Sequence, residues 1–199
     1  AVSLGNTLKV FDEILPHLND KCIVSDITSV KNGLAEYYHN SGKRFVSTHP
    51  MFGPTFANVK DLSEENAIII TESDEEGKAF FREFYRNMKL NIHEYSFRQH
   101  DETIAYSLSI PFSSTLVFAS CMKEQEAPGT TFRKHLEIAR GLLSEDDYLL
   151  SEILLNRYSL EQIEKISSSL NDLVEMIRSR DKTRLQDYFF QLRNNLGLQ

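Results

Sequence analysis

Several features that would decide a function class outright are scarce or missing in this chain. Its 199 residues hold two cysteines, Cys22 and Cys121, too few for a disulfide framework. Each borders or lies in an apolar stretch, so both read as buried free thiols. Basic residues do not dominate. Lys and Arg number 22 against 29 Asp and Glu, the net charge is −7 and the pI is about 5.4. That balance argues against a nucleic-acid footprint, which would need a basic face. No apolar run reaches the ~20 residues of a membrane span, and no signal-peptide pattern is present; a reducing cytoplasm fits. His17, His39, His93 and His135 lack the spacing of metal ligands, so no metal is expected. The glycines fall at 5, 33, 42, 53, 77, 129, 141 and 197, and nowhere do they form G-x-G-x-x-G.

What is present alternates. Ala1-Val2-Ser3-Leu4 reads as the tail of a strand, followed by a helix with Leu8, Phe11, Leu15 and Leu18 on one stripe. Strands are expected over about 22–26, 44–48, 66–71 and 90–95, with helices over about 31–40 and 74–88. Strand–helix alternation implies a parallel or mixed doubly wound sheet. The acids Glu72, Asp74, Glu75 and Glu76 suit a helix start. From about residue 97 only helices are expected: 97–126 with a kink at Pro111, 131–143 capped by Thr130-Thr131, another opening at 144–147, and an antiparallel pair from Ser159. The pair carries Leu160, Ile163, Ile166, Leu170, Leu173 and Ile177, then Leu185, Phe189, Leu192 and Leu196. The chain is thus α/β first and all-α afterwards.

Two strand ends carry chemistry-bearing side chains. Ile23-Val24-Ser25-Asp26-Ile27-Thr28-Ser29-Val30-Lys31 and Phe45-Val46-Ser47-Thr48-His49-Pro50-Met51-Phe52-Gly53-Pro54 each run from apolar to polar. As parallel strands they would deliver Ser29 and His49 to one rim, in the crevice at the carboxyl ends. Imidazole titrates near neutrality and can accept a proton there. Asp26 reads as a cap for the following turn and Lys31 as a surface charge, Met51 and Phe52 as packing, Gly53-Pro54 as a tight turn. His100-Asp101 reads equally as a helix cap or as a substrate contact.

D-x-x-S-V-K, then H-P-M-x-G-P, then His100-Asp101 leading a long helix, together resemble the prephenate dehydrogenases of tyrosine biosynthesis, over nearly the whole chain. Thr55-Phe56-Ala57, the segment from Tyr106 to Phe112 and that from Gln125 to Phe132 look most like a Bacteroidetes-type branch. The resemblance implies a Rossmann-like NAD-binding domain over 1–96, NADP being the alternative cofactor, and an all-helical substrate and dimerisation domain over 97–199. It implies oxidative decarboxylation of prephenate to 4-hydroxyphenylpyruvate, with His49 and Ser29 catalytic, Ser3 and Ser29 toward the cofactor, and Thr55 in a substrate-gating loop. A homodimer through the helical domain is implied, with neither nucleic acid nor membrane as partner. The family's glycine fingerprint lies upstream of a strand end like Val2-Ser3, so roughly 60–75 residues of a doubly wound half are expected to precede Ala1.

Two departures bear on substrate. Relatives carry S-H-L-P-H where this chain has Leu108-Ser109-Ile110-Pro111-Phe112, leaving Ser109 as the polar group. Relatives also place an arginine before I-A, where this chain has Glu137-Ile138-Ala139. Prephenate still needs cations for its carboxylates, and Arg133, Lys134 and Arg140 are the candidates. The alternatives are an arogenate dehydrogenase, which performs the same ring chemistry, and a non-catalytic fragment that dimerises without holding NAD.

Overall fold

The computed structural model describes residues 2–53 and 57–198. Val2 and Ser3 do not form the expected strand tail. They lead into a 3₁₀ turn over Leu4–Asn6 and then α1 (Thr7–Ile14). β1 (Val24–Asp26), α2 (Leu34–Ser41), β2 (Phe45–Pro50), β3 (Asn66–Ile70), α3 (Glu75–Asn87) and β4 (Asn91–Tyr95) follow, each close to its expected place.

The four strands lie in sequence order. β1 and β2 are parallel, β2 and β3 antiparallel, β3 and β4 parallel. The sheet is therefore mixed, one of the two forms the alternation allowed. Ala67, Ile68, Ile69 and Ile70 are wholly buried, because β3 is sandwiched on both faces. On one side Phe11, Val24, Leu34, Tyr38 and Phe97 pack around Ile68 and Ile70; on the other, Tyr85 and Leu90 pack around Ala67 and Ile69. Tyr38 stacks on Phe45 with ring centroids 4.1 Å apart.

Asp74 alone among the acids caps α3. Its carboxylate accepts from the backbone N–H groups of Glu76 and Gly77 and is clamped by Arg44 through Nε at 2.7 Å and Nη2 at 2.8 Å. Two hydrogen bonds from one planar guanidinium fix the cap's orientation, and Asp74 is accordingly held down to about 2.

α4 (Phe97–Cys121) starts from a full capping box. The Ser96 hydroxyl accepts from the Gln99 N–H, and the Gln99 side chain accepts from the Ser96 N–H. It ends at Cys121, short of the expected 126, and Cys121 is exposed rather than buried. With 25 residues, α4 is long and apolar enough by length and composition to cross a membrane, which overturns the expectation that no segment would reach that length. It packs against α5 (Thr130–Leu142), α6 (Asp147–Leu154), α7 (Ser159–Ser179) and the strands β3 and β4. Its apolar residues thus serve the core of the helical half. α5 begins one residue earlier than expected, with Gly129 at the N-cap and no side-chain cap bond. α7 and α8 (Lys182–Asn195) form the expected pair.

At one point α3 comes unusually close to the sheet. A Cβ added to Gly77 would lie 2.7 Å from Val46 Cβ and 3.0 Å from Val46 Cγ1. Gly77→Ala should cost about 1–3 kcal/mol of stability by overpacking, read as a lowered urea midpoint with unchanged slope.

Candidate active site

Parallel pairing of Val24 with Phe45, Ser25 with Val46 and Asp26 with Ser47 brings the carboxyl ends of β1 and β2 to one edge. The loop after β1 then folds back under that edge. Asp26 Oδ1 accepts from the Thr28 N–H at 3.1 Å and the Thr28 hydroxyl at 2.8 Å, which makes Asp26 the turn cap the sequence suggested. Lys31 is not the expected surface charge. Its side chain is wholly buried, and its ammonium donates to Asp26 Oδ1 at 2.5 Å, to the Thr48 carbonyl at 2.7 Å and to the Thr28 hydroxyl at 3.2 Å. The other carboxylate oxygen of Asp26 accepts from the Tyr38 hydroxyl at 2.8 Å. Burial works against the Asp26 charge, but Lys31 and the surrounding donors outweigh it and hold the carboxyl below its ordinary value. Burial pulls the Lys31 ammonium down, with Asp26 opposing.

His49, at the end of β2, is buried, and its Nδ1 lies 2.9 Å from His100 Nε2. His100 Nδ1 lies 3.1 Å from Asp101 Oδ1. A carboxylate can only accept, so Nδ1 of His100 carries a proton. Neutral His100 then has a bare Nε2, which accepts from Nδ1–H of His49. The chain Asp101–His100–His49 therefore sets His49 in one tautomer, with the lone pair on Nε2. No hydrogen bond from the described residues occupies that atom. Both imidazoles are held neutral. Burial, then the neighbouring His100, then the Lys31 charge push His49 well below 6.5. Burial lowers His100 too, against the pull of Asp101. His100-Asp101 is therefore not the helix cap, a place taken by Ser96 and Gln99, and instead meets the histidine of β2.

The helical half closes over this chain. Asn156, buried between α6 and α7, donates to the Asp101 carbonyl at 3.1 Å. Asn32 donates to Glu152 at 3.1 Å. The Tyr148 ring lies so close to the backbone of Gly5 that a Cβ there would sit 3.2 Å from it. Between the halves remains a cavity of about 100 Å³, bordered by Gly5, Thr28, Val30, Asn32 and Tyr148.

The other sequence candidates fall in different places. Ser29 is half-buried in the loop after β1, and its hydroxyl makes no hydrogen bond among the described residues. Ser3 is exposed, with its hydroxyl accepting from the Asn6 amide at 2.9 Å. Thr55 lies outside the described residues. Ser109 is wholly buried, 2.6 Å from the Ser159 hydroxyl, and so ties α4 to α7 rather than facing the histidines. Arg133, Lys134 and Arg140 are exposed on α5. The rings of Phe132 and His135 contact Phe118, and Arg140 borders a groove with Phe118. Phe118 lies eighteen positions beyond His100 along α4, roughly 27 Å of helix, so one chain does not bring these cations to the histidines. Sequence reading missed Lys31, Tyr38 and Asn156. Nothing local marks any of the three.

Residues 1–91 match the family described as prephenate dehydrogenase, nucleotide-binding domain. The chain is 21% identical over 198 residues to a probable arogenate/prephenate dehydrogenase of Methanocaldococcus jannaschii, covering 92% of this chain and 44% of that protein. It is also 21% identical over 209 residues to the T-protein of Haemophilus influenzae, covering 99% and 54%. The chain spans about half the length of the curated relatives it matches. Among solved structures, prephenate dehydrogenase from Aquifex aeolicus in complex with hydroxyphenyl propionate and NAD+ superposes with a TM-score of 0.80 at 17% identity, over 100% of this chain and 74% of that one. Synechocystis arogenate dehydrogenase gives a TM-score of 0.74 at 20% identity, over 98% and 76%.

Two neutral buried histidines make an acid-labile site. Their folded values lie below the ordinary 6.5, so the unfolded chain binds the extra protons. The stability involved is fully present above pH 6.5 and is lost as pH falls through and below it, by up to about 1.4 kcal/mol per pH unit for each histidine. Urea midpoints should fall between pH 7.5 and 5.5, and His49→Asn should flatten that fall. An equally steep loss in the variant would mean that other groups drive it.

Proposed function

We propose that the chain is part of a prephenate dehydrogenase, the family whose nucleotide-binding domain residues 1–91 match, and that its protein oxidises and decarboxylates prephenate to 4-hydroxyphenylpyruvate, with Nε2 of His49 as the proton acceptor. The observation that carries this is the Asp101–His100–His49 chain, which leaves a lone pair on Nε2. NAD, when bound, supplies the hydride acceptor. Thr28 and Ser29 offer hydroxyls in the loop after β1, which suits the reactive end of such a cofactor, and Ser3 is the further candidate toward it. No glycine-rich turn occurs in the 199 residues, so none of them is assigned to the pyrophosphate. NADP is the alternative.

His49 takes the proton of the ring hydroxyl as the ring carbon beneath it is oxidised. The ring carboxylate then leaves as carbon dioxide, its bonding electrons complete the aromatic ring, and His49 returns the proton to the resulting phenolate. Ser29 orients the hydroxyl or the imidazole. The buried, low-basicity imidazole is neutral at cellular pH and so is ready to accept. The relatives include both prephenate and arogenate dehydrogenases. Because both substrates share the ring end, arogenate is the second reading.

The protein acts as a homodimer in a reducing cytoplasm. Leu160, Leu170, Val174 and Ile177 of α7 and Phe189, Phe190 and Leu196 of α8 stand exposed in a single chain, more apolar surface than a monomer leaves uncovered. Arg133, Lys134 and Arg140 meet the substrate carboxylate from the second copy.

Assayed with prephenate and with arogenate, His49→Asn should keep the bond to His100 yet lower kcat on the order of 10²–10⁴-fold, with KM little changed. Near-normal turnover would remove His49 from the role. Sedimentation should give a mass near twice 23.0 kDa, and Leu170→Glu should return the chain to a folded monomer. A wild-type monomer would exclude the dimer.

A further inference from the structure

The Lys31 ammonium donates to the carbonyl just before His49 and does not border the cavity between the halves. Its three protons go to three acceptors: the Asp26 carboxylate, the Thr28 hydroxyl and the Thr48 carbonyl. A neutral amine has only two hydrogens to donate, so full use of three acceptors identifies the charged form. The Thr48 carbonyl belongs to the peptide bond that leads into His49. It is held 2.7 Å from a buried cation, while the Thr48 hydroxyl lies 2.7 Å from that of Tyr85. Thr48 is thereby held at both its carbonyl and its hydroxyl.

We propose that Lys31 is a positioning residue for His49, orienting the imidazole through the Thr48 carbonyl and keeping a fixed positive charge one peptide unit away from it. The charged and titratable groups facing His49 are few. Lys31 and Asp26 approach from β1 and its loop, and His100 and Asp101 from α4. From β3 the paired residue is the apolar Ile68. Burial and the neighbouring His100 do most to discourage a second proton on His49, and the buried Lys31 charge, paired with Asp26, adds to them. A surface lysine would be screened by water, but a wholly buried one is not. The inference rests on the reading of His49 as proton acceptor for its meaning in catalysis, whereas its test reads the imidazole itself.

Two measurements decide it. In ¹H–¹⁵N spectra of the wild-type chain, the Lys31 NH₃⁺ group should exchange slowly and show a scalar coupling across the hydrogen bond to the Thr48 carbonyl carbon. A fast-exchanging Lys31 signal would overturn the proposal without any variant. The second measurement uses Asp26→Asn combined with Lys31→Gln, which keeps polar partners in place and removes both charges. The ¹⁵N imidazole titration of His49 should then move up by about one pH unit, a tenfold gain in proton affinity, and the acid limb of kcat/KM should move with it. A purely structural role would leave the midpoint where it is, so a folded double variant with an unmoved His49 titration overturns the charge effect. Loss of turnover with the titration shifted as expected would leave Lys31 in place and count against the assigned reaction instead.

Discussion

An ammonium group inside a protein is stable only with a counter-charge and acceptors at hydrogen-bond distance, because leaving water costs several kcal/mol per ion. Asp26 and Lys31 meet that condition together, and the local architecture follows from it. Asp26 receives Lys31, the backbone and hydroxyl of Thr28, and the hydroxyl of Tyr38. One carboxylate thus joins the end of β1, the loop that follows and the helix α2. Through Lys31 it also reaches β2. Removing one partner from such a pair costs about 3–5 kcal/mol, so the crevice edge has little freedom to rearrange around a bound molecule.

Most of the elements were legible from periodicity. Alternating short apolar runs located the strands, and spacings of three and four located α7 and α8, because those patterns are imposed by which face meets the core. The resemblance to prephenate dehydrogenases was carried by two strand-end strings and by His100-Asp101 leading α4, and residues 1–91 match that family's nucleotide-binding domain. Less was legible where tertiary contact decides. Lys31 sits five residues after Asp26, as a lysine in a solvated loop would; only the reversal of that loop carries it inside. His49 and His100 are fifty-one residues apart, and no local pattern announces that a helix start will meet a strand end. Val2-Ser3 looked like a strand because it is short and partly apolar, but among the described residues no neighbouring strand pairs with it. Cys121 looked buried because its helix is apolar, yet that helix has more apolar surface than one chain covers.

The same excess explains the uneven character of the helical half. α4 is held at its start by Glu72, which accepts from the Phe97 N–H at 3.2 Å, and by His100 on His49. Farther along, Ser109 joins it to Ser159. Beyond Pro111 its partners are mainly apolar, and α5 and α8 leave much of their surfaces open. The polar, directional contacts are concentrated where α4 meets the sheet. The part of the helix that must place an imidazole is specified by hydrogen bonds, and the remainder by burial, which tolerates more variation.

The approach of Tyr148 to Gly5 sets a dimension of the molecule. An aromatic ring resting on bare backbone is about the thinnest spacer that can separate two packed halves, and the absent methyl at residue 5 is what permits it. The clearance between the nucleotide-domain half and the helical half is therefore a mechanical tolerance, fixed at one bearing point by a single hydrogen atom. A Cβ at that position would press on the Tyr148 ring, and the ring or the helix that carries it would have to give way by a few tenths of an ångström.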